Sequence, residues 1–252
     1  MIFLMVTCVI FFHMSLIWLW YLYRNNPSVV DVGWASGLTL IGLVYLCNMP
    51  LSPRTVTLSC VLLIWGFRLG FYLWYTRIRH GNIDKRYLTL SEQWKRAKPL
   101  GFFFNYQLQG LLILVISLPW FFIAQPSHQN IRSLDWIILC LALLSILGET
   151  LADYQLLQFK RQHTNAVCNQ GLWRYSRHPN YFFEWLTWCC FSLLAWSTPF
   201  FWIGFISPLT LYFIMTKITG PMTEAGSIQS RGQQYLTYQA STPMFFPKIR
   251  RT

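Results

Sequence analysis

The stretch from Gly171 to Glu184 concentrates polar side chains in a chain of which only 11% is charged. Its members able to do chemistry are Arg174, Arg177, His178, Asn180 and Glu184. Pro179 favours an extended residue before it and suits the first turn of a helix, so it predicts a loop over Arg174 to His178 and a helix start at Pro179. Asn180 and Glu184 then share one helix face. An apolar run follows, so we expect Glu184 to lie inside the membrane boundary, where an acid is costly without a partner and is a functional candidate.

Asp31 is a second acid at the start of an apolar segment, in the sequence Val-Val-Asp-Val-Gly-Trp. It is either an interfacial residue that faces water or an acid in a bundle cavity that exchanges a proton with a substrate oxygen. Gly33 and Gly37 follow on the same segment and would let another helix approach closely.

Arg68, Tyr72 and Arg79 stand at i, i+4 and i+11 and are predicted to form one helical stripe. Arg68 either snorkels to the membrane surface or lines a wet cavity. In the second case, its guanidinium with the Tyr72 hydroxyl suits a phosphate or carboxamide ligand.

Glu149 and Asp153 form a second same-face pair, followed by Lys160 and Arg161. The acids either pair with neighbouring arginines or belong to a site. The two cations either hold a phosphate or anchor the helix end at the membrane.

The amino-acid composition indicates the class of fold that must position these groups. The chain has 252 residues, 54% of them hydrophobic and 18% aromatic. This predicts an all-α, polytopic membrane protein, folded as one integral membrane domain over residues 1–252. About seven transmembrane helices are predicted, at 2–23, 29–48, 55–76, 101–124, 134–157, 181–197 and 199–218. The tail, 219–252, is expected to form a cytoplasmic lid with a short amphipathic helix over Arg231 to Tyr238 and an apolar re-entry over Pro243 to Pro247.

The net charge of +12 falls mainly in alternate loops, which fits the positive-inside rule better than a nucleic-acid partner. The basic residues that decide this are Arg77, Arg79, Lys85, Arg86, Lys95, Arg96, Lys98, Lys160, Arg161, Arg174, Arg177, Arg231, Lys248, Arg250 and Arg251. The asymmetry predicts the N-terminus outside and the C-terminus in the cytoplasm. The membrane is expected to be a bacterial inner membrane. The seven Cys and five His show no metal-binding spacing, so no metal site is predicted.

These polar groups are expected to converge on one cavity that opens to the cytoplasm and to lipid, with a soluble anionic ligand at the basic end and a lipid at the apolar end. There is no G-x-G-x-x-G or Walker motif, so a nucleotide would not be held on a Rossmann or P-loop fold.

The central stretch resembles the signature of the steroid 5-alpha-reductase-like family, in particular bacterial members of unassigned substrate. The resemblance rests on Gly-Leu-Trp-Arg-Tyr at Gly171 and Asn-Tyr-Phe-Phe-Glu at Asn180, supported by Asp-Val-Gly-Trp at Asp31, Ile-Asp-Lys-Arg-Tyr at Ile83 and Ala-Asp-Tyr-Gln at Ala152. It covers nearly the whole chain.

The resemblance implies a seven-helix reductase that binds NADPH in a cytoplasm-facing cavity and reduces a carbon–carbon double bond conjugated to a ketone. By position, Asn180 and Glu184 would hold the nicotinamide carboxamide, and Asp31 would polarise the substrate ketone. The other implied cofactor residues are Arg68, Tyr72, Arg79, Asp153, Lys160, Arg161, Arg174, Tyr175, Arg177, His178 and Tyr235.

Two residues depart from the family pattern. Phe183 replaces the usual Gly, and Trp65 stands where the steroid enzymes have a catalytic Tyr. The expected substrate is a steroid-like or isoprenoid lipid; the oligomeric state is left open.

Arg177-His-Pro-x-Tyr also resembles membrane methyltransferases that use S-adenosylmethionine and whose tails share a Glu followed by Arg-Gly-x-x-Tyr-x-x-Tyr. A methyltransferase acting on a lipid or prenylated substrate and a non-catalytic lipid-binding protein are therefore the alternatives.

Overall fold

The structure is a computed structural model that describes residues 1–94, 97–125, 130–163 and 165–248, with the side chain of Gln93 also left out. Lys95, Arg96, Arg250 and Arg251 of the predicted basic segments lie outside the described residues.

The described chain is helical and contains no β-strand within those ranges, as predicted. Its first helices are α1 (Ile2–Arg24), α2 (Val29–Leu46), α3 (Pro53–Leu73), α4 (Lys85–Trp94), α5 (Lys98–Ile116) and α6 (Leu118–Ile123). The remaining helices are α7 (Ser133–Gln162), α8 (Pro179–Leu193), α9 (Ile206–Phe213), α10 (Gly220–Arg231) and α11 (Gln233–Ser241). Two wider π-helical turns, Trp74–Arg79 and Ile214–Thr219, continue α3 and join α9 to α10.

Six helical stretches in the described parts of the chain are long and apolar enough to cross a membrane. They are Ile2–Arg24, Val29–Leu46, Pro53–Arg79, Lys98–Ile123, Ser133–Gln162 and Phe201–Arg231. Each matches a predicted segment. The seventh predicted segment, 181–197, contains α8, which has 15 residues. At 1.5 Å per residue it rises about 22 Å, less than the ~30 Å hydrocarbon core.

The loop before α8 contacts the tail of the chain. Arg177, just before α8, contacts Glu224 of α10, and Tyr175 contacts Lys248. The loop before α8 and the tail are therefore together in space. The seventh crossing, by the segment that contains α8, stays a prediction. The orientation of the termini stays a prediction.

The described chain groups into two compact units. Unit 1 contains residues 1–136 and 192–207, and unit 2 contains 137–191 and 208–252. In unit 1, α2 packs against α1, α3 and α5. A Cβ on Gly33 would lie 2.9 Å from Ile17 of α1, and a Cβ on Gly37 would lie 2.9 Å from Ile113 of α5. The predicted close approach of helices at these two glycines is confirmed.

A buried cluster anchors unit 1 where α3 begins. Arg54 is 2% exposed and donates to the carbonyl oxygens of Ile123 and Leu194 at 3.3 and 3.2 Å. Its Nε lies 3.8 Å from Asp135, whose other carboxylate oxygen accepts from the Trp196 indole at 3.0 Å. A buried guanidinium needs such partners to offset its desolvation.

Unit 2 is built on the long helix α7. Phe159 of α7 packs with Cys168 and Trp173 of the following loop, so the loop folds back along the helix that precedes it. This arrangement positions the polar stretch before α8.

Candidate functional site

The first turn of α8 carries the amide that the sequence singled out. Pro179 begins α8, as predicted. The Nδ2 of Asn180 donates to Oδ1 of Asp153 on α7 at 3.1 Å, and Asp153 is 3% exposed. The Oδ1 of Asn180 is buried and has no hydrogen-bond partner among the described residues. A buried acceptor without a donor is costly, so this oxygen is able to accept a hydrogen bond from a bound group.

Glu184 lies one turn further along the same helix face, as predicted. Its side chain is buried, with the residue 6% exposed, and its Oε1 accepts from the indole of Trp188 at 3.0 Å. Asn180 and Glu184 thus offer an amide oxygen and a carboxylate four residues apart. A primary amide, with two N–H donors, matches such a pair of acceptors.

Phe183, the departure from the family pattern, packs against α7. A Cβ on Gly148 would lie 2.6 Å from the Phe183 ring, so the missing side chain of Gly148 makes room for the aromatic ring. Glycine on one helix and phenylalanine on the other form a complementary contact.

The loop before α8 is fastened to α7 by two hydrogen bonds. Trp173 donates its indole N–H to the Ala152 carbonyl at 2.9 Å, and Gln155 accepts from the Leu172 N–H at 2.9 Å. Gly171 has φ +57°, and a Cβ there would lie 2.5 Å from Oε1 of Gln155. Both the backbone conformation and the close amide require glycine at this turn.

Four nitrogen atoms from three side chains contact the carboxylate of Glu224 in α10 and so join the loop to the tail. Glu224 is 6% exposed. Arg177 donates to both carboxylate oxygens at 2.7 and 3.1 Å. His178 Nε2 lies 3.0 Å from Oε1, and Gln239 of α11 donates to Oε2 at 2.6 Å. The remaining guanidinium nitrogen of Arg177 donates to the Thr242 carbonyl at 2.6 Å. We call Arg177, His178, Glu224 and Gln239 the tail clasp.

Backbone contacts extend this attachment. The Tyr238 hydroxyl donates to the Trp173 carbonyl at 2.5 Å, and the Ser176 hydroxyl donates to the Phe245 carbonyl at 2.8 Å. Phe245 and Phe246 also pack their rings against Trp185 of α8. The tail is therefore part of unit 2 and packs against the start of α8, while its role as a cytoplasmic lid stays a prediction. Its helix runs over Gln233–Ser241 rather than from Arg231, because Gly232 with φ +55° breaks α10 from α11.

Three of the predicted anion-binding cations are exposed in the same part of unit 2. Lys160 and Arg161 end α7, and Arg174 lies in the loop that packs on that helix. Arg174 also stacks over Tyr175, at 5.9 Å from the ring centre. Tyr235 is buried in α11, and burial raises the pKa of its hydroxyl to about 12. It therefore stays protonated and can donate a hydrogen bond at neutral pH.

In unit 1, Asp31 belongs to a charge network at the end of α3. Its Oδ1 accepts from the Tyr87 hydroxyl at 2.8 Å, and Arg77 and Arg86 form ion pairs with the carboxylate. Arg77 and Arg86 also bind Asp84, at 3.3 and 2.9 Å. Asp31 is thus an acceptor already engaged by three donors, which suits a charge-balancing role better than that of a proton donor.

Asp84 shows the strength of this network. Burial raises the pKa of its carboxyl, but the hydrogen bonds and charge of Arg86, with the charge of Arg77, outweigh burial and lower that pKa to about 2. The backbone N–H of Asp84 also donates to Ser28 Oγ at 2.8 Å, which ties the loop to the start of α2.

The predicted stripe on α3 is confirmed in its first part only. The Arg68 guanidinium lies over the Tyr72 ring at 5.8 Å. Arg79 is exposed and stacks over Tyr75 at 5.7 Å instead, because the π-helical turn Trp74–Arg79 changes the angular position of the residues beyond Tyr72. Trp65 is completely buried in unit 1. Packing in the core is therefore a simpler explanation of its position than a catalytic role.

The partners that organise these groups were not predicted from the sequence. Tyr87, Arg86 and Asp84 lie within the Ile83 to Tyr87 motif that supported the resemblance, yet no role was assigned to them. Glu224 was noticed only as part of the methyltransferase-like tail. The signal available was the concentration of charge in Ile-Asp-Lys-Arg-Tyr at Ile83 and, for Glu224, a single acid in an otherwise uncharged stretch of the tail. The prediction that the groups of both units line one cavity stays a prediction.

These features define an α-helical integral membrane protein with a buried amide–carboxylate pair at the start of a short helix. The chain belongs to the family described as "Protein of unknown function (DUF1295)", whose pattern matches residues 17–242. It is also similar to "Uncharacterized protein C594.04c" of the fission yeast Schizosaccharomyces pombe. The two are 25% identical over 273 residues, which cover 93% of this chain and 76% of the yeast protein.

Proposed function

We propose that the protein is an NADPH-dependent membrane reductase that transfers hydride to the conjugated double bond of a lipid enone, such as a 3-oxo-Δ4 steroid or an isoprenoid. The observation that carries the proposal is the buried, unpartnered Oδ1 of Asn180, one turn from the buried carboxylate of Glu184. The family, which includes steroid 5-alpha-reductase-like proteins, supports the same class.

The residues present fit the cofactor. Asp153 accepts from the Nδ2 of Asn180, and the Oδ1 of that amide, together with Glu184, would accept from the two N–H groups of a nicotinamide carboxamide. Lys160, Arg161 and Arg174 would neutralise the phosphates. The cofactor supplies the hydride chemistry when bound, while the protein supplies orientation and electrostatics.

Asp31 has a changed role in this proposal. Since Tyr87, Arg77 and Arg86 all point toward its carboxylate, Asp31 would hold these donors in place. The Tyr87 hydroxyl has a single proton and donates it to Asp31 at 2.8 Å, so this network serves to balance charge within unit 1.

The tail clasp favours one alternative, an S-adenosylmethionine-dependent methyltransferase of a lipid or prenylated substrate. Arg177-His-Pro and the tail Glu are the two parts of the methyltransferase-like pattern, and Arg177 and His178 both bind Glu224. A non-catalytic lipid-binding role is the remaining alternative.

Thermal unfolding of the detergent-purified protein with NADPH, NADH or S-adenosylmethionine separates these functions. A ligand at about 100 times its Kd stabilises by ~2.7 kcal/mol. We expect NADPH to raise the melting temperature and to be oxidised when a lipid enone is added. A shift with S-adenosylmethionine alone would overturn the proposal in favour of methyl transfer, and a folded protein that responds to none of the three ligands would support the non-catalytic role.

Asn180→Ala tests the site itself. Losing one hydrogen bond of ~1 kcal/mol should weaken NADPH binding about fivefold. Asn105→Ala is the matched control, because it removes a half-buried asparagine from α5 of unit 1. Equal NADPH affinity in both variants and in the parent protein would place the cofactor elsewhere.

A further inference from the structure

One end of unit 1 brings together the end of α1, the loop after α3 and the start of α5. The indole of Trp18 on α1 donates to the Pro99 carbonyl on α5 at 2.8 Å. The N–H of Asp84 donates to Ser28 Oγ in the turn after α1 at 2.8 Å. Charged residues at these helix ends therefore share one surface.

Four cations on this surface are exposed: Arg24 at the end of α1, Arg79 at the end of the π-helical turn, Lys85 at the start of α4, and Lys98 at the start of α5. We call them the basic end. The nearby acids Asp31 and Asp84 are already compensated by Arg77 and Arg86, and so do not neutralise the basic end.

The same surface has the features of a membrane interface. Tyr23 is 85% exposed beside Arg24, and Trp18 and Trp94 are half-buried. Helix α4 is amphipathic in the observed fold, with Tyr87 buried and Leu88 45% exposed. Aromatic and basic residues together are typical of the level of lipid headgroups.

The other described end of unit 1 differs. There Arg54 is 2% exposed and is bound to two backbone carbonyls and Asp135. That guanidinium is part of the interior and is not presented to the surroundings. One cation at that end, Arg132, is exposed and stacks over Trp196 at 5.3 Å from the ring centre; the other exposed Arg and Lys residues described in unit 1 lie at the basic end.

We propose that the basic end binds the headgroup phosphate of an anionic phospholipid, whose acyl chains lie along the exposed apolar faces of α1 and α5. A phosphate with net negative charge matches the cations of the basic end, whereas a zwitterionic headgroup gains less from them. This inference is independent of the proposed reductase activity.

The test measures binding of short-chain dioctanoylphosphatidylglycerol to the delipidated full-length protein, by tryptophan fluorescence or melting temperature. Parallel arms use dioctanoylphosphatidylcholine and inorganic phosphate. At ~1 kcal/mol per surface cation, each is worth about fivefold in affinity, so Arg24→Gln with Lys98→Gln should weaken phosphatidylglycerol binding roughly 30-fold. The matched control, Lys160→Gln with Arg161→Gln, removes the same charge from unit 2 and should keep the parent affinity.

Equal affinity for phosphatidylcholine, or an unchanged affinity in the Arg24/Lys98 variant, would overturn the proposal. Binding of inorganic phosphate as tight as phosphatidylglycerol would also overturn it, in favour of a free-anion site. Arg24→Lys with Lys98→Arg keeps both charges. This charge-conserving variant should bind phosphatidylglycerol as the parent does. If it does not, the weaker binding of the Arg24→Gln/Lys98→Gln variant comes from altered structure and not from lost charge.

Discussion

The tail clasp gives the sharpest stability prediction. Glu224→Gln keeps the size of the side chain but removes the negative charge that Arg177, His178 and Gln239 share. The amide offers one acceptor oxygen, and its NH2 group then faces donors. Arg177, whose side chain is 12% exposed, loses its ion-pair partner.

The expected magnitude follows from this burial. Breaking one side of a buried pair costs ~3–5 kcal/mol, because the remaining charge is left uncompensated. The exposed fractions, 12% for Arg177 and 7% for Glu224, are small enough that solvent screening offsets little of it. We expect the lower end, since Arg177 keeps its bonds to the carbonyls of Gln239 and Thr242. At ~2–4 °C per kcal/mol, the melting temperature should fall by about 6–12 °C.

Two assays report this. Thermal melting in detergent gives the stability loss, and limited trypsin digestion should cleave faster after Arg231 once the tail is loosened. A double-mutant cycle with Arg177→Gln isolates the pair: the two losses should not add, and the coupling should be ~1–3 kcal/mol. Arg174→Gln is the control, because this exposed arginine lies in the same loop outside the clasp.

A stabilising role of the tail clasp is refuted if Glu224→Gln melts within about 1 °C of the parent protein. It is also refuted if the stability losses of Glu224→Gln and Arg177→Gln add in full in the double variant. Either result would mean that the clasp contributes little despite its geometry.

Three further predictions concern packing and pH. Gly148→Ala should destabilise unit 2 by ~1–3 kcal/mol through overpacking against Phe183, and the loss in a double variant with Phe183→Ala should be smaller than the sum of the two single losses in thermal melts. Gly171→Ala should cost more than the ~1 kcal/mol of a positive φ alone, because its Cβ also meets Gln155, and it should melt lower than the parent. Asp84 has a lowered pKa of about 2, so its contribution is present above the unfolded value of ~3.9 and is lost as pH falls from there toward 2. Asp84→Asn should therefore remove up to ~2 kcal/mol at pH 7 and much less near pH 2, measured as melting temperature against pH.

Matched controls accompany these substitutions. Gly81→Ala has φ +67° with no atom within 4 Å of the new Cβ, so it carries the backbone cost alone. Equal losses at Gly81 and Gly171 would contradict the clash with Gln155. Glu92→Gln removes an exposed acid from α4, and its pH profile should parallel the parent. If Asp84→Asn also ran parallel to the parent, the network would not stabilise the ionised form.

Much of the helical framework could be predicted because a membrane span leaves a long apolar signal. The start of α8 followed from Pro179, and the shared face of Asn180 and Glu184 followed from their spacing. Helix α8 was harder, since the apolar run continues past its end at Leu193 into irregular backbone. Hydropathy reports how long a run is but not where its hydrogen bonds stop.

Positions that depend on distant partners could not be predicted. The stripe from Arg68 to Arg79 assumed a regular 3.6-residue period, and the π-helical turn altered it. Asp31 was identified as unusual, but its engagement by Tyr87 and Arg77 depends on how the loop after α3 folds back. The sequence shows that a charged residue lies in an apolar segment. Only the tertiary structure shows which residues neutralise it.

The attachment of the tail has a consequence for biogenesis. Arg177, Ser176 and Tyr175 leave the ribosome well before the residues that satisfy them, among them Glu224 and Lys248, have been synthesised. The hydrogen-bonding groups of the loop before α8 therefore lack these partners until translation is nearly complete. A nascent chain stalled after Gly220 lacks Glu224 and Lys248, so its loop before α8 would be without the partners that hold it in the finished protein.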